Sequence, residues 1–139
     1  MKSDSNLESV LENDGVPQFE LKKYENCSTV NLQDLRDDLG LGSWAVRIAY
    51  NDLFGGVVIQ QQPGEGNRKH YHHDADENWV ILDGEWEWWI EGIGTQRVKA
   101  NDIIVVPRGV WHKITCVGDS VGVRYAITRP DVDHVYEDE

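Results

Sequence analysis

Cysteine is scarce: Cys27 and Cys116 are the only two, and neither belongs to a Cys-x-x-Cys pair. No disulfide framework can be read from two isolated thiols. No apolar run approaches the roughly 18 residues that a membrane-spanning helix needs. The opening stretch MKSDSNLESVLENDG lacks the apolar centre of a signal peptide. These absences predict a soluble, cytoplasmic protein with reduced thiols. Bases are outnumbered, 13 Lys and Arg against 25 Asp and Glu, for a formal net charge of -12. That charge repels phosphate, which argues against nucleic acid and anionic membrane as partners and leaves a small-molecule ligand. Internal repeats and low-complexity segments are also missing. So is any gap between apolar segments long enough for a crossover helix, which rules out a parallel sheet.

What is present begins at Trp44. The segments SWAVRIAY, GGVVIQQQ, NWVILDG, EWEWWIEG, QRVKA, DIIVVP, HKITCV and VGVRYAIT are short, rich in Val, Ile and Trp, and separated by Gly, Asp, Asn or Pro. They predict an all-β antiparallel barrel or sandwich. Residues 1–43 form an N-terminal arm. Within it NLQDLRDDLGLG predicts a short helix: Asn31 caps it, Leu32, Leu35 and Leu39 lie near helical spacing, and Gly40 closes it. LESVLEND predicts a further turn or two. The barrel runs over 44–130. Residues 131–139, DVDHVYEDE, carry five acids and predict a solvated tail.

Residues 70–77 read HYHHDADE and run straight into the apolar stretch NWVIL. On a strand His70 and His72 point the same way. Glu77 follows a short loop and shares parity with Trp79 and Ile81, which are core-like. His112 lies just beyond a turn set by Pro107 and Gly109. For His73 and His134, which fall in no patterned position, a surface location is expected. An inward, unpaired Glu77 costs about 1–3 kcal/mol or more, and each inward His adds a similar amount. The total rivals the net stability of a domain and demands a compensating partner. A cation that three imidazoles and a carboxylate can coordinate supplies it.

The segment GEGNRKHYHHDADENWVILDG resembles the first cupin motif, G-x5-HxH-x4-E-x6-G, through Gly64, His70, His72, Glu77 and Gly84. NDIIVVPRGVWHKITC resembles the second, G-x5-PxG-x2-H-x3-N, through Pro107, Gly109 and His112, with Asn101 in place of the leading Gly and Cys116 in place of the final Asn. The resemblance implies a double-stranded β-helix, the jelly-roll barrel of the cupins, and makes His70, His72, Glu77 and His112 ligands of one divalent metal. Members use iron, manganese, nickel, zinc, cobalt or copper. Four protein ligands would close a tetrahedral zinc site, whereas on an octahedral metal they leave two positions open. Fe(II) or Mn(II) is therefore favoured, with Zn or Ni as alternatives. Cupins commonly dimerise, and a homodimer is expected; a subunit contact would also explain Trp89, which stands on the charged face of EWEWWIEG.

Parity also predicts what lines the pocket. Trp79, Trp86 and Trp88 point inward, either as core or as an aromatic wall against substrate. Of Gln60, Gln61 and Gln62 at least one should point inward as an amide that could reach a substrate, with Gln60 and Gln62 the candidates; otherwise they are a polar strand end. Arg68, with Lys69, brings positive charge to the barrel mouth and suggests an anionic substrate. Cys116 faces inward as a small hydrophobe or a soft ligand. Tyr125 shares parity with Val121, Val123 and Ile127 and is expected inside, with Arg124 outside. Tyr125, Tyr71 and Glu65 are the candidate proton carriers. Three functions follow: an oxygenase or a Lewis-acid isomerase, lyase or decarboxylase; a non-catalytic metal and ligand-binding cupin; and a relative of the metal-free sugar-nucleotide epimerases, against which the intact ligand set argues.

Overall fold

The structure, a computed structural model of the chain, describes residues 2–3 and 21–137. The predicted turn in LESVLEND lies outside the described residues. The strands are β1 (Lys2–Ser3), β2 (Trp44–Tyr50), β3 (Gly55–Gln61), β4 (Gly66–Tyr71), β5 (Glu77–Asp83), β6 (Glu85–Ile90), β7 (Gly94–Lys99), β8 (Ile103–Val106), β9 (His112–Val117), β10 (Gly122–Thr128) and β11 (Asp133–Tyr136). They form two antiparallel sheets, ordered β1-β11-β4-β9-β6-β7 and β2-β3-β10-β5-β8. This is the jelly-roll arrangement expected from the short, helix-free connections.

The alternating strands behave as their parity requires. On β5, Glu77, Trp79 and Ile81 are buried; on β6, Trp86, Trp88 and Ile90; on β9, His112, Ile114 and Cys116. The apolar ones among them meet between the sheets in the main core. Two glycines permit tight passages. At Gly84 φ is +78°, and a Cβ would lie 2.6 Å from Gly122 Cα; at Gly66 a Cβ would lie 1.9 Å from the Ile114 carbonyl oxygen. Asn101, where the motif has Gly, adopts φ 81°, a conformation Asn tolerates.

β3 and β10 are buried on both faces, because the N-terminal arm covers the outer side of their sheet. The helix α1 (Leu32–Leu39) is capped by Asn31, whose side chain accepts from Asp34 N at 3.1 Å, and ends at Gly40. Leu35 packs with Trp44, Val46, Val58 and Val123 in a second core, flanked by Tyr24 and Tyr125. Arg36 ties the helix down through Asp83 at 2.7 Å and Gln60 at 3.0 Å. The expected acidic tail differs most. Residues 133–136 form β11, which pairs with β4 at Val135–Tyr71 and Tyr136–His70. The acids of the segment hide this strand, because its inward residues are a histidine and a tyrosine rather than aliphatics.

Candidate metal centre

Two neighbouring strands of one sheet and a strand of the other bring the ligand candidates together. His70 on β4 lies opposite His112 on β9, and Glu77 opens β5. His72 follows directly after β4. A register shift between Asn67 and His70 turns both of those residues inward although they are three apart. His70, His72, Glu77 and His112 are all buried, and one donor atom from each lies within 4.8 Å of the other three.

The ring orientations fix what those atoms are. Nδ1 of His70 faces the Arg68 carbonyl at 2.5 Å, Nδ1 of His72 the Asp133 carbonyl at 2.9 Å, and Nδ1 of His112 the Val110 carbonyl at 3.0 Å. A carbonyl only accepts, so each Nδ1 carries a proton, and a ring with no second proton turns an Nε2 lone pair inward. Nε2 of His72 and His112 lie 2.9 and 2.8 Å from Glu77 Oε2. Yet neither Glu77 Oε2 nor His112 Nε2 makes a hydrogen bond. Buried nitrogen and carboxylate lone pairs crowded at 2.8–2.9 Å need a cation between them, a proton or a metal ion. The cluster fits a single divalent metal.

Burial pushes the Glu77 carboxyl up, but charge and hydrogen bonds offered by His112 and His72 outweigh that and hold it well below the usual carboxylate range, so the carboxylate is ionised whether a proton or a metal sits between them. Burial, then His112 and His134, hold His70 well below the usual imidazole value. An ionised carboxylate and a neutral imidazole are the forms that bind metal. The other oxygen of Glu77, Oε1, accepts from Trp79 Nε1 at 2.9 Å.

Several expected site residues lie elsewhere. Tyr125 points outward into the second core, and Arg124 is the inward residue, fully buried. Parity selected the more apolar face of β10, and the arm, not the barrel, buries that face. Gln60 likewise turns to the arm, donating to the Gly40 and Gly42 carbonyls at 2.9 and 2.8 Å. Gln62 donates to the Leu41 carbonyl at 2.8 Å. The amide inside is Gln61, which with Asn67 accepts from Arg124. Tyr71 has the opposite parity to His70 and stacks edge-on with Trp111 and His73 on the outer face. Glu65 accepts from Gln62 N and Ser43 Oγ and organises the β3–β4 turn.

Arg68 lays its guanidinium 3.8 Å from the Tyr136 ring centre. Lys69 is not at the barrel mouth: it pairs with Glu137 at 3.0 Å and sits over Trp89 and Trp111, which accounts for an indole on a charged face. Trp79, Trp86, Trp88 and Cys116 are buried in the main core. Burial raises the Cys116 thiol, and its Sγ lies 3.6 Å from the Gln61 carbonyl, outside the donor cluster.

His134 was expected at the surface but is buried, with ring centres 4.5 Å from His72 and 4.7 Å from His70. The alternation of His134 with Tyr136 was the signal for it. Gln61 is the inward one of the three glutamines, as its parity with Val57 and Ile59 requires.

Residues 57–128 match the cupin-domain family Cupin_2. The chain belongs to the cupins. The uncharacterized protein YdbB of Bacillus subtilis is 36% identical over 44 residues, 32% of this chain and 39% of YdbB. The match therefore spans well under half of that relative. Among solved structures, KdgF from Halomonas is similar with a TM-score of 0.60 and 17% identity over 81% of this cupin and 94% of KdgF. An oxalate decarboxylase–formate complex from Lactobacillus farciminis gives a TM-score of 0.57 and 19% identity over 62% of this chain and 27% of that one. At these identities the structures share the fold.

Proposed function

We propose that this cupin is a metal-dependent enzyme acting on a small, anionic metabolite, with Fe(II) or Mn(II) bound by His70, His72, Glu77 and His112. The observation that carries the reading is the convergence of four buried ligand atoms within 4.8 Å of one another. Three nitrogens and one oxygen suit Fe or Mn as well as Zn or Ni. The need for open positions favours the octahedral metals. Bound there, such a metal supplies Lewis acidity and, for iron, electron transfer to dioxygen, and oxygenase-type chemistry is the reading we favour.

The protein's own residues do the rest. The Arg68, Val110 and Asp133 carbonyls hold the three imidazoles in their metal-binding tautomer. Trp79, Trp88 and Ile90 form an apolar, water-excluding wall. Arg124, buried among the Trp79, Trp86 and Trp88 rings, supplies the interior positive charge that supports an anionic substrate.

A second reading is Lewis-acid isomerase, lyase or decarboxylase chemistry. The observation favouring it is His134, an imidazole beside two ligand rings that could serve where Tyr71 and Tyr125, both facing away, could not. A sugar phosphate isomerase from Silicibacter pomeroyi and the oxalate decarboxylase from Lactobacillus farciminis share the fold. We place the enzyme in the cytoplasm and expect a homodimer, which the exposed Ile103 and Val105 on edge strand β8 support.

The test is metal analysis of the purified protein, then oxygen uptake with a panel of small carboxylates and sugar phosphates. Iron with substrate-dependent oxygen uptake is the expected result. Turnover without oxygen uptake selects the Lewis-acid reading. Bound metal with no turnover on either class leaves a non-catalytic binding cupin and refutes both.

A further inference from the structure

Glu77 presents two unlike oxygens. Oε2 lies 2.9 and 2.8 Å from the inward nitrogens of His72 and His112. Oε1 is capped by the Trp79 indole N–H at 2.9 Å, inside the core. The two residues sit two apart on β5 with the same orientation, so the strand itself sets the contact. Trp79 is held in turn. Its ring meets Trp88 edge-on at 5.3 Å, and Arg124 stacks on it with the guanidinium carbon 4.7 Å from the ring centre. A cation on the face of an indole draws electron density from the ring and makes its N–H a stronger donor. Arg124 is anchored by Gln61 and Asn67, so the whole array is fixed from β3, β4 and β10.

We infer that Trp79 is a positioning residue of the metal centre: it occupies Glu77 Oε1 so that the carboxylate binds metal through Oε2 alone. The inference rests on the metal centre described above. A carboxylate free at both oxygens can chelate, and hydrogen bonds to ligating carboxylates are what restrain them. One-oxygen binding leaves two positions of an octahedral metal for substrate; two-oxygen binding leaves one. Trp79 thereby sets how many groups the metal can receive.

The experiment counts exchangeable water positions on the Mn(II)-loaded protein by water-proton relaxation, a measurement that needs no substrate. Trp79→Phe keeps an aromatic ring and removes the N–H. Inner-sphere water is expected to fall from about two positions to about one, which about halves the relaxivity, with Mn(II) still bound. Ile104→Ala thins the packing opposite Trp79 in the register of β5 and β8 and should leave the count unchanged. If Trp79→Phe does not fold, replacing Trp79 by benzothienylalanine, which has sulfur for N–H and the same shape, gives the same readout. An unchanged water count in the N–H-free protein, or an equal fall in Ile104→Ala, overturns the role of Trp79 alone. A wild-type protein that takes up no Mn(II) overturns the metal centre and this role with it.

Discussion

Replacing His112 with Ala tests the ligand set through stability as well as metal content. A metal that binds only the folded chain stabilises it by RT ln(1 + [M]/Kd), about 2.7 kcal/mol at a concentration about 100-fold above Kd. For 139 residues the unfolding entropy makes each kcal/mol worth about 3.4 °C, so the wild-type protein gains about 9 °C on loading. His112 is fully buried and its Nε2 is one of the four converging donors. Loss of a ligand should weaken binding at least as much as loss of an outer-sphere partner, about ten-fold or more. At the same metal concentration the gain then falls to about 1.4 kcal/mol or less, about 5 °C. The assay is thermal melting of wild type and His112→Ala with and without Mn(II), each variant referred to its own metal-free melt. That reference removes the cost of the cavity. If His112→Ala gains as many degrees as wild type and retains full metal occupancy, His112 is not a ligand and the convergence argument fails.

Deleting residues 131–139 removes β11 and the Asp133 carbonyl that orients His72; the expected result is a fall in Mn(II) affinity of about ten-fold or more, and unchanged affinity would refute that dependence. Gly84→Ala forces a left-handed φ of +78° on a residue whose Cβ would meet Gly122 Cα at 2.6 Å, so the melting temperature should fall by several degrees, and an unaltered melt would contradict the fit. Acidification should destabilise the metal-free protein. His70 has a folded pKa well below its unfolded value of 6.5, so below about pH 6.5 the unfolded chain takes up a proton that the folded chain resists. Melting temperatures of the metal-free protein that stay level or rise between pH 7 and 5.5 would refute a neutral, buried His70.

Wherever one face of a strand is wet, the sequence alone identified the inward residues. Glu77, Trp79 and Ile81 on β5, Trp86 and Trp88 on β6, and His112 on β9 all face the core as their alternation requires. The four-donor cluster was legible for the same reason, reinforced by turn residues at fixed offsets. The method fails where both faces are dry. β10 carries Val123 and Tyr125 on the side under the arm and Arg124 and Ala126 on the barrel side. Hydrophobic parity there picks the greasier face, which is the wrong one. Gln60 fails the same way on β3. β11 was missed because four residues with an Asp, a His and a Tyr read as tail, and only pairing with β4 gives them a reason to be extended.

That missed strand changes how the metal centre hangs together. His70 and His112 are oriented by carbonyls two residues back along their own chain segments, Arg68 and Val110. Their tautomers therefore follow from local backbone. His72 is different: its Nδ1 depends on Asp133, 61 residues away in sequence. His134 and Tyr136 from the same strand then pack on His70. Whatever fraction of time β11 spends detached, His72 loses the acceptor that selects its inward lone pair. A cation that requires that lone pair binds the attached form better. By reciprocity it must favour attachment of β11 by the same free energy. All four ligands belong to the barrel as the motifs define it, but one of them, His72, is oriented by a strand beyond both motifs.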